Sequence, residues 1–161
     1  MNGTALRLAA AALLTLCGFC AGDTRRQKYT ARRRTLEEIV GLLLRLRQEI
    51  DCRRTDLNRL YRALSFEYPP DSPMKAVFYQ GTCFQNLHPP ALLNREQAAC
   101  FAECFSGLGH TDAKQECARL DYYLQRFDGF LTQARQDEQL SLSLDRRLGL
   151  AAGALLGLLV M

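Results

Sequence analysis

Residues 35–66, TLEEIVGLLLRLRQEIDCRRTDLNRLYRALSF, decide the fold that the sequence predicts. Apolar side chains recur there at alternating spacings of three and four, which places them on one face of an α-helix. These apolar positions are Leu36, Ile39, Leu43, Leu46, Ile50, Leu57, Leu60 and Leu64. Thr35 and Glu38 have the spacing of a capping box, so a helix is expected to begin at Thr35. The segment predicts one long helix, or two helices in line, ending before the prolines at positions 69, 70 and 73.

Two further helices are expected downstream of these prolines. One runs from Ala91 or Asn94 to Ser106, and the other from Thr111 to about Gln139. Residues 74–87 are compatible with either a short helix or an extended crossover. The second and third helices add Phe101, Phe105, Leu120, Leu124, Phe127 and Leu131 to the predicted core. The sequence therefore predicts an all-α domain over residues 35–140, an up-down bundle of three to four helices.

The first 34 residues predict two short segments ahead of the bundle. Residues 1–22 have the layout of a secretory signal peptide, with the apolar run Leu8–Leu16 followed by small residues up to Gly22. Residues 23–34 predict a flexible basic arm. Its basic residues are Arg25, Arg26, Lys28, Arg32, Arg33 and Arg34. The arm is compatible with a solvated tail, a docking site for acidic glycans, or a site for trypsin-like proteases.

The cysteines predict disulfides if the chain is secreted. Five cysteines follow the predicted signal peptide. Cys104 and Cys117 flank the turn between two helices, so they are the preferred pair, and Cys100 would then pair with Cys83 or Cys52. About two disulfides would staple the bundle. A zinc site of Cys100, Cys104, His110 and Cys117 is the alternative, but this spacing matches no standard zinc signature.

Residues 141–161 form a C-terminal tail that ends in the uncharged run Leu148–Met161. Three interpretations stay open: a glycolipid-anchor signal with attachment at Ser141 or Ser143, a last helix packed on the bundle, and a short membrane span. An exposed apolar run of this size would be a sticky patch, so it must be buried, anchored or removed.

The sequence contains no recognisable catalytic constellation. The two histidines, His88 and His110, lie in predicted loops, and no nucleophile, metal or phosphate-loop motif accompanies them. We therefore expect no enzyme activity, no cofactor and no metal. Nucleic-acid binding is not expected either, because Tyr29 is the only aromatic residue among the basic residues of the arm.

The layout resembles that of the short-chain four-helix cytokines. The segment 120–133, LDYYLQRFDGFLTQ, looks like their last, receptor-facing helix. The resemblance implies a secreted, extracellular ligand that binds a cell-surface receptor or co-subunit through exposed helix faces. The contact candidates that it implies are Glu37, Arg45, Glu49, Arg119, Arg126 and Asp128. The alternative is a helical ectodomain, anchored at the cell surface through the C-terminal tail, that acts in adhesion, as a co-receptor or as an accessory subunit.

Overall fold

The computed structural model describes residues 2–53 and 56–160, with the side chains of residues 26–52 and 56–141. The helices are α1 (Asn2–Arg53), α2 (Leu57–Glu67), α3 (Pro73–Gln80), a short 3-10 helix (Phe84–Asn86), α4 (Arg95–Ser106) and α5 (Ala113–Val160). The described part of the chain contains no strand, so the predicted all-α class is confirmed. The chain divides into a central unit, residues 31–133, and a terminal unit made of residues 1–30 and 134–161.

Helix α1 begins far ahead of the predicted start at Thr35. Thr35 is fully buried inside the helix, and its Oγ1 donates to the carbonyl of Ala31, one turn earlier. The segment predicted to be a flexible arm, residues 23–34, also lies within α1. Acidic residues one turn later compensate its positive charge, as in the ion pair Arg33–Glu37.

A side-chain cap marks the start of each of the next two helices, α2 and α3. Asp56 caps α2 by accepting a hydrogen bond from the backbone N–H of Asn58. Ser72 caps α3 in the same way, and Pro73 occupies the first turn of that helix. The helical segment ends before the prolines as predicted, and the long segment 35–66 is divided between α1 and α2.

One capping box starts α4, and one glycine lies in the connection from α4 to α5. Asn94 and Gln97 form the capping box that starts α4. Gly109 has a φ of +87°, a left-handed conformation that glycine adopts without steric cost. The start of α5 is capped by Asp112, which accepts from the N–H of Gln115, and not by Thr111 as the sequence suggested.

The core of the central unit contains most of the predicted apolar residues. All fourteen are buried except Leu57 and Leu124, which are half-buried. The structure adds buried residues from the stretch that the sequence left ambiguous: Met74, Val77, Phe78, Phe84 and Leu87. The rings of Phe78 and Phe84 both pack on Tyr61, with centroids 5.2 and 5.3 Å away, so the ambiguous stretch closes the core over α2.

The predicted disulfides are wrong, because the five cysteines of the described part are free thiols. Cys104 and Cys117 were the preferred pair, but they face different neighbours. Cys104 is fully buried in the core, whereas the half-buried Cys117 directs its Sγ toward the carbonyl oxygen of Arg47, 3.9 Å away. Burial raises the pKa of the Cys104 thiol to about 12, which keeps it protonated at neutral pH.

The terminal unit joins the first part of α1 to the last part of α5. Within it, Thr30 Oγ1 donates to Glu138 Oε1 at 2.7 Å. The predicted signal peptide, Arg25, Ser143 and the run Leu148–Met161 lie outside the residues whose side chains are described. Among those that are described, no helix has a stretch long and apolar enough to span a bilayer.

Candidate interaction surface

Four of the six contact candidates are held in ion pairs within the central unit. Glu37 pairs with Arg33, and Arg45 pairs with Glu67 at the end of α2. Arg119 pairs with the buried Glu116, and Arg126 lies 3.5 Å from Glu96. These ion pairs lie between and within helices, and any partner would have to displace or share them.

Arg126 and Asp128 are neighbours in sequence that differ in their surroundings. The guanidinium of Arg126 also lies 5.8 Å from the ring centroid of Phe130, in cation–π range. Asp128 is exposed. Both residues belong to α5, whereas Glu37 and Arg45 belong to α1.

Arg45 and Glu49 line an open groove on the solvent side of α1. The groove has a volume of about 330 Å³ and is lined by Gly41, Leu44, Arg45, Gln48, Glu49 and Cys52. Leu44 is 53% exposed although it is a large apolar residue. A Cβ at Gly41 would meet no atom within 4 Å. The α1 groove is therefore a helix surface that another chain could approach closely.

The positive charge of Arg45, beside the α1 groove, is paired with a carboxylate of the same protein. Arg45 Nη1 donates to Glu67 Oε1, and this hydrogen bond lowers the pKa of the Glu67 carboxyl. Both side chains are about half exposed, so the pair contributes little to stability. The lining residues Leu44, Gln48 and Cys52 are uncharged and exposed.

The basic residues nearest the central unit are engaged as well. Arg32 donates to Gln97 Oε1 at 3.3 Å, and Arg34 contacts both Glu38 and Asp71. Arg26 and Lys28 are exposed. Arg32 and Arg34 therefore make contacts within the protein, whereas Arg26 and Lys28 point into solvent.

The α4–α5 turn is held by a buried carboxylate that sequence reasoning did not single out. Glu116 is almost fully buried and accepts from the backbone N–H of Gly109 and from Thr111 Oγ1, both at 3.0 Å. Arg119 Nη2 donates to the second carboxylate oxygen at 3.1 Å. Every oxygen of this carboxylate is hydrogen-bonded, so its role here is to fix the turn.

Two exposed aromatic residues were also missed. Phe66 in α2 is 85% exposed and Tyr79 in α3 is 89% exposed. Both lie off the apolar face of their own helix, since Leu60 and Leu64 of α2, and Met74 and Phe78 of α3, are buried. Their position away from the apolar face was the sequence signal that these two aromatic side chains would lie outside the core.

Metal binding finds no support in the described side chains. They contain no group of three or more His, Cys, Asp or Glu residues that could hold an ion. In particular, Cys104 of the alternative zinc set is enclosed in the core, whereas His110 is exposed in the turn after α4.

A comparison with protein families finds one family whose model matches this chain. The model of the family described as stage III sporulation protein AB matches residues 7–82 and again residues 80–161, so the two matches together span nearly the whole chain. Comparison with the curated proteins and with the solved structures finds no match.

This result overturns the interpretation that rested on layout alone. The chain is not a secreted cytokine-like ligand, its partner is not a cell-surface receptor, and it is not an anchored extracellular domain. The error has a physical origin: helix length and apolar periodicity specify a helical bundle but carry no information about the compartment or the partner. The chain belongs to the stage III sporulation protein AB family.

Proposed function

We propose that this protein acts in the third stage of bacterial sporulation by binding other proteins of that stage, without catalysing a reaction itself. Membership of the family supports the process. The α1 groove supports the mode of action, because it is an open surface on a helix that the core holds rigidly. Leu36, Ile39, Leu43 and Leu46, on the opposite side of the same helix, are fully buried.

Gly41 is the observation that carries this proposal. Glycine in a helix interior costs about 0.5–1 kcal/mol relative to alanine, and Gly41, unlike Gly129 of α5, lines a groove beside an exposed leucine, Leu44. Nothing within the described chain lies within 4 Å of a Cβ at this position. We therefore propose that the space above Gly41 is occupied by a helix or loop of a partner protein that also covers Leu44.

A pair of glycine substitutions tests the proposal. Gly129 in α5 is a matched control, because a Cβ there also meets no atom within 4 Å and the residue is exposed. Gly41→Gln and Gly129→Gln should both stabilise their helices slightly. The organism that encodes the chain, with its own copy deleted, is complemented with each variant, and heat-resistant spores are counted. We expect Gly129→Gln to restore sporulation and Gly41→Gln to reduce it at least tenfold.

The outcomes separate the two parts of the proposal. If the wild-type gene does not restore spore formation in the deletion strain, the role in sporulation is refuted. If Gly41→Gln restores spores as well as Gly129→Gln does, the protein works without the α1 groove. A lower thermal midpoint of Gly41→Gln would contradict the open space that the structure has above this residue.

We further propose that the terminal unit attaches the protein to a membrane. The uncharged apolar runs Leu8–Leu16 and Leu148–Met161 both belong to this unit. An uncharged apolar run is a sticky patch in water unless it is buried, anchored or removed, and a bilayer would cover both runs.

Fractionation of cells that express the full-length chain tests the attachment. We expect the protein to stay in the membrane pellet after an alkaline carbonate wash. The double variant Leu155→Arg with Leu156→Arg should move to the supernatant, since an arginine in the bilayer centre costs about 2.5–3.5 kcal/mol. Leu92→Arg, at an exposed position of the central unit, is the control and should stay in the pellet. Recovery of the wild-type chain in the supernatant would refute the attachment.

A further inference from the structure

We infer that the outer face of α2 binds an acidic segment of another protein. This α2 face consists of Arg59, Arg62, Ala63 and Phe66. The inference rests on the proposed function as a binding protein and adds a second contact surface with a partner of stated chemistry.

The four residues lie on one side of α2. Their spacings of three, four and seven residues bring them into one stripe, and all four are exposed. The opposite side of the helix carries Leu60, Tyr61 and Leu64, which are buried. Phe66 is 85% exposed, so the α2 face presents an aromatic ring next to two guanidinium groups.

The charge of the α2 face is not compensated within the described structure. Neither Arg59 nor Arg62 makes an ion pair with any of the side chains that the structure describes. The only acidic residue of α2, Glu67, accepts a hydrogen bond from Arg45 of α1 instead. Two free guanidinium groups one turn apart match the carboxylates of a neighbouring chain, because arginine binds carboxylates through two parallel hydrogen bonds.

Helix α2 is held in place before any partner arrives. Asp56 caps its start, and the hydroxyl of Tyr61 donates to the carbonyl of Phe78 at 2.8 Å. Near its end, Lys75 Nζ donates to the carbonyl of Ser65 at 2.6 Å. A rigid surface loses little conformational entropy on binding, and arginine and aromatic residues are the types that most often dominate protein interfaces.

A protein fits the α2 face better than a lipid surface does. A helix that lies on a membrane inserts its apolar side into the lipid. The apolar side of α2 is already buried in the core, so only Phe66 could enter the lipid. Two arginines and one ring are instead sufficient for a small contact with a segment that carries aspartate or glutamate beside an apolar residue.

Photocrosslinking in sporulating cells identifies the occupant. A benzophenone amino acid replaces Ala63 in the α2 face, and in a matched control it replaces Ala99, which is exposed on α4. We expect Ala63 alone to yield a product, and mass spectrometry should locate the attached residue in an acidic segment of another protein. A product with lipid or with a second copy of this chain, equal products from both positions, or no product at all would overturn the inference.

A synthetic peptide of the cross-linked segment then measures the contribution of each side chain. Binding of the labelled peptide to the full-length chain is followed by fluorescence anisotropy. We expect Phe66→Ala, and the double variant Arg59→Glu with Arg62→Glu, each to weaken binding at least tenfold. Arg95→Glu, a charge reversal at an exposed position of α4, should change binding less than twofold. Equal loss for all three variants would overturn the inference.

Spore counts separate this inference from the proposed function. The double arginine variant should lower the number of heat-resistant spores at least tenfold, whereas Arg95→Glu should not. The sporulation role fails if the wild-type gene does not complement the deletion strain. The inference alone fails if the wild-type gene and the double variant complement equally. Unchanged thermal midpoints exclude misfolding, since the substituted side chains are exposed and make no ion pair in the described structure.

Discussion

The hydroxyl of Tyr61 gives the most direct test of how the central unit is held together. Tyr61 is buried, and its hydroxyl donates to the carbonyl oxygen of Phe78 at 2.8 Å. That carbonyl is among the last four of α3, which have no partner within their own helix. Tyr61→Phe removes the donor and keeps the ring, so the packing on Phe78 and Phe84 is preserved.

The expected loss follows from the acceptor that is left behind. A buried polar group without a hydrogen bond costs about 1–3 kcal/mol. No cavity term is added, because the phenyl ring fills the same space. We therefore expect Tyr61→Phe to lower the free energy of unfolding by about 1.5 kcal/mol. With a urea dependence of about 1–3 kcal/mol/M, the midpoint should fall by roughly 0.5–1.5 M at an unchanged slope.

Urea unfolding of the full-length chain, followed by circular dichroism, measures this shift. Tyr79→Phe is the control, because it removes the same hydroxyl from a side chain that is 89% exposed. Its midpoint should not move. The reasoning is refuted if Tyr61→Phe leaves the midpoint unchanged, or if both variants lose the same stability, since the loss would then not depend on burial.

Further predictions concern the α4–α5 turn and the thiols. Glu116→Gln should cost about 1–3 kcal/mol in urea unfolding, because a neutral amide cannot accept from all three donors. Gly109→Ala should cost at least about 1 kcal/mol in the same assay, since φ is +87° and the new Cβ would lie 2.8 Å from Leu57 Cδ1. Iodoacetamide should modify the exposed Cys52 of the native chain long before the buried Cys104, as peptide mass mapping would reveal. Because burial raises the pKa of Cys104 from 9.0 to about 12, its contribution to stability is complete below pH 9 and declines from there to pH 12. Unfolding at pH 8 and pH 11 should therefore differ less in Cys104→Ala than in the wild type.

Local patterns were sufficient for the helices and for most of the core. The spacing of Leu36, Ile39, Leu43 and Leu46 predicted a buried face, and all four are fully buried. The caps that depend on a single side chain and its neighbours, such as Asn94, also lie close to the predicted boundary. Such features follow from interactions within one or two turns, which the sequence contains completely.

The start of α1 could not be read from the same kind of pattern. Thr35 and Glu38 have capping-box spacing, but Thr35 is buried inside a helix that begins at Asn2. In a buried helix the hydroxyl bonds to the carbonyl one turn back, and the carboxylate of Glu38 accepts a hydrogen bond from Ser72 instead. Partners that are distant in sequence therefore decide whether such a pair caps the start of a helix or forms other hydrogen bonds within it.

The sequence alone thus determined the helical class and the apolar faces of the helices. Only the tertiary structure decided the state of the cysteines, the closing of the core by residues 74–87, and the exposure of Phe66 and Gly41. The physical reason is the range of the interactions. Periodicity reports which side of a helix is apolar, but only the packing of several helices decides which groups are enclosed and which stay open to a partner.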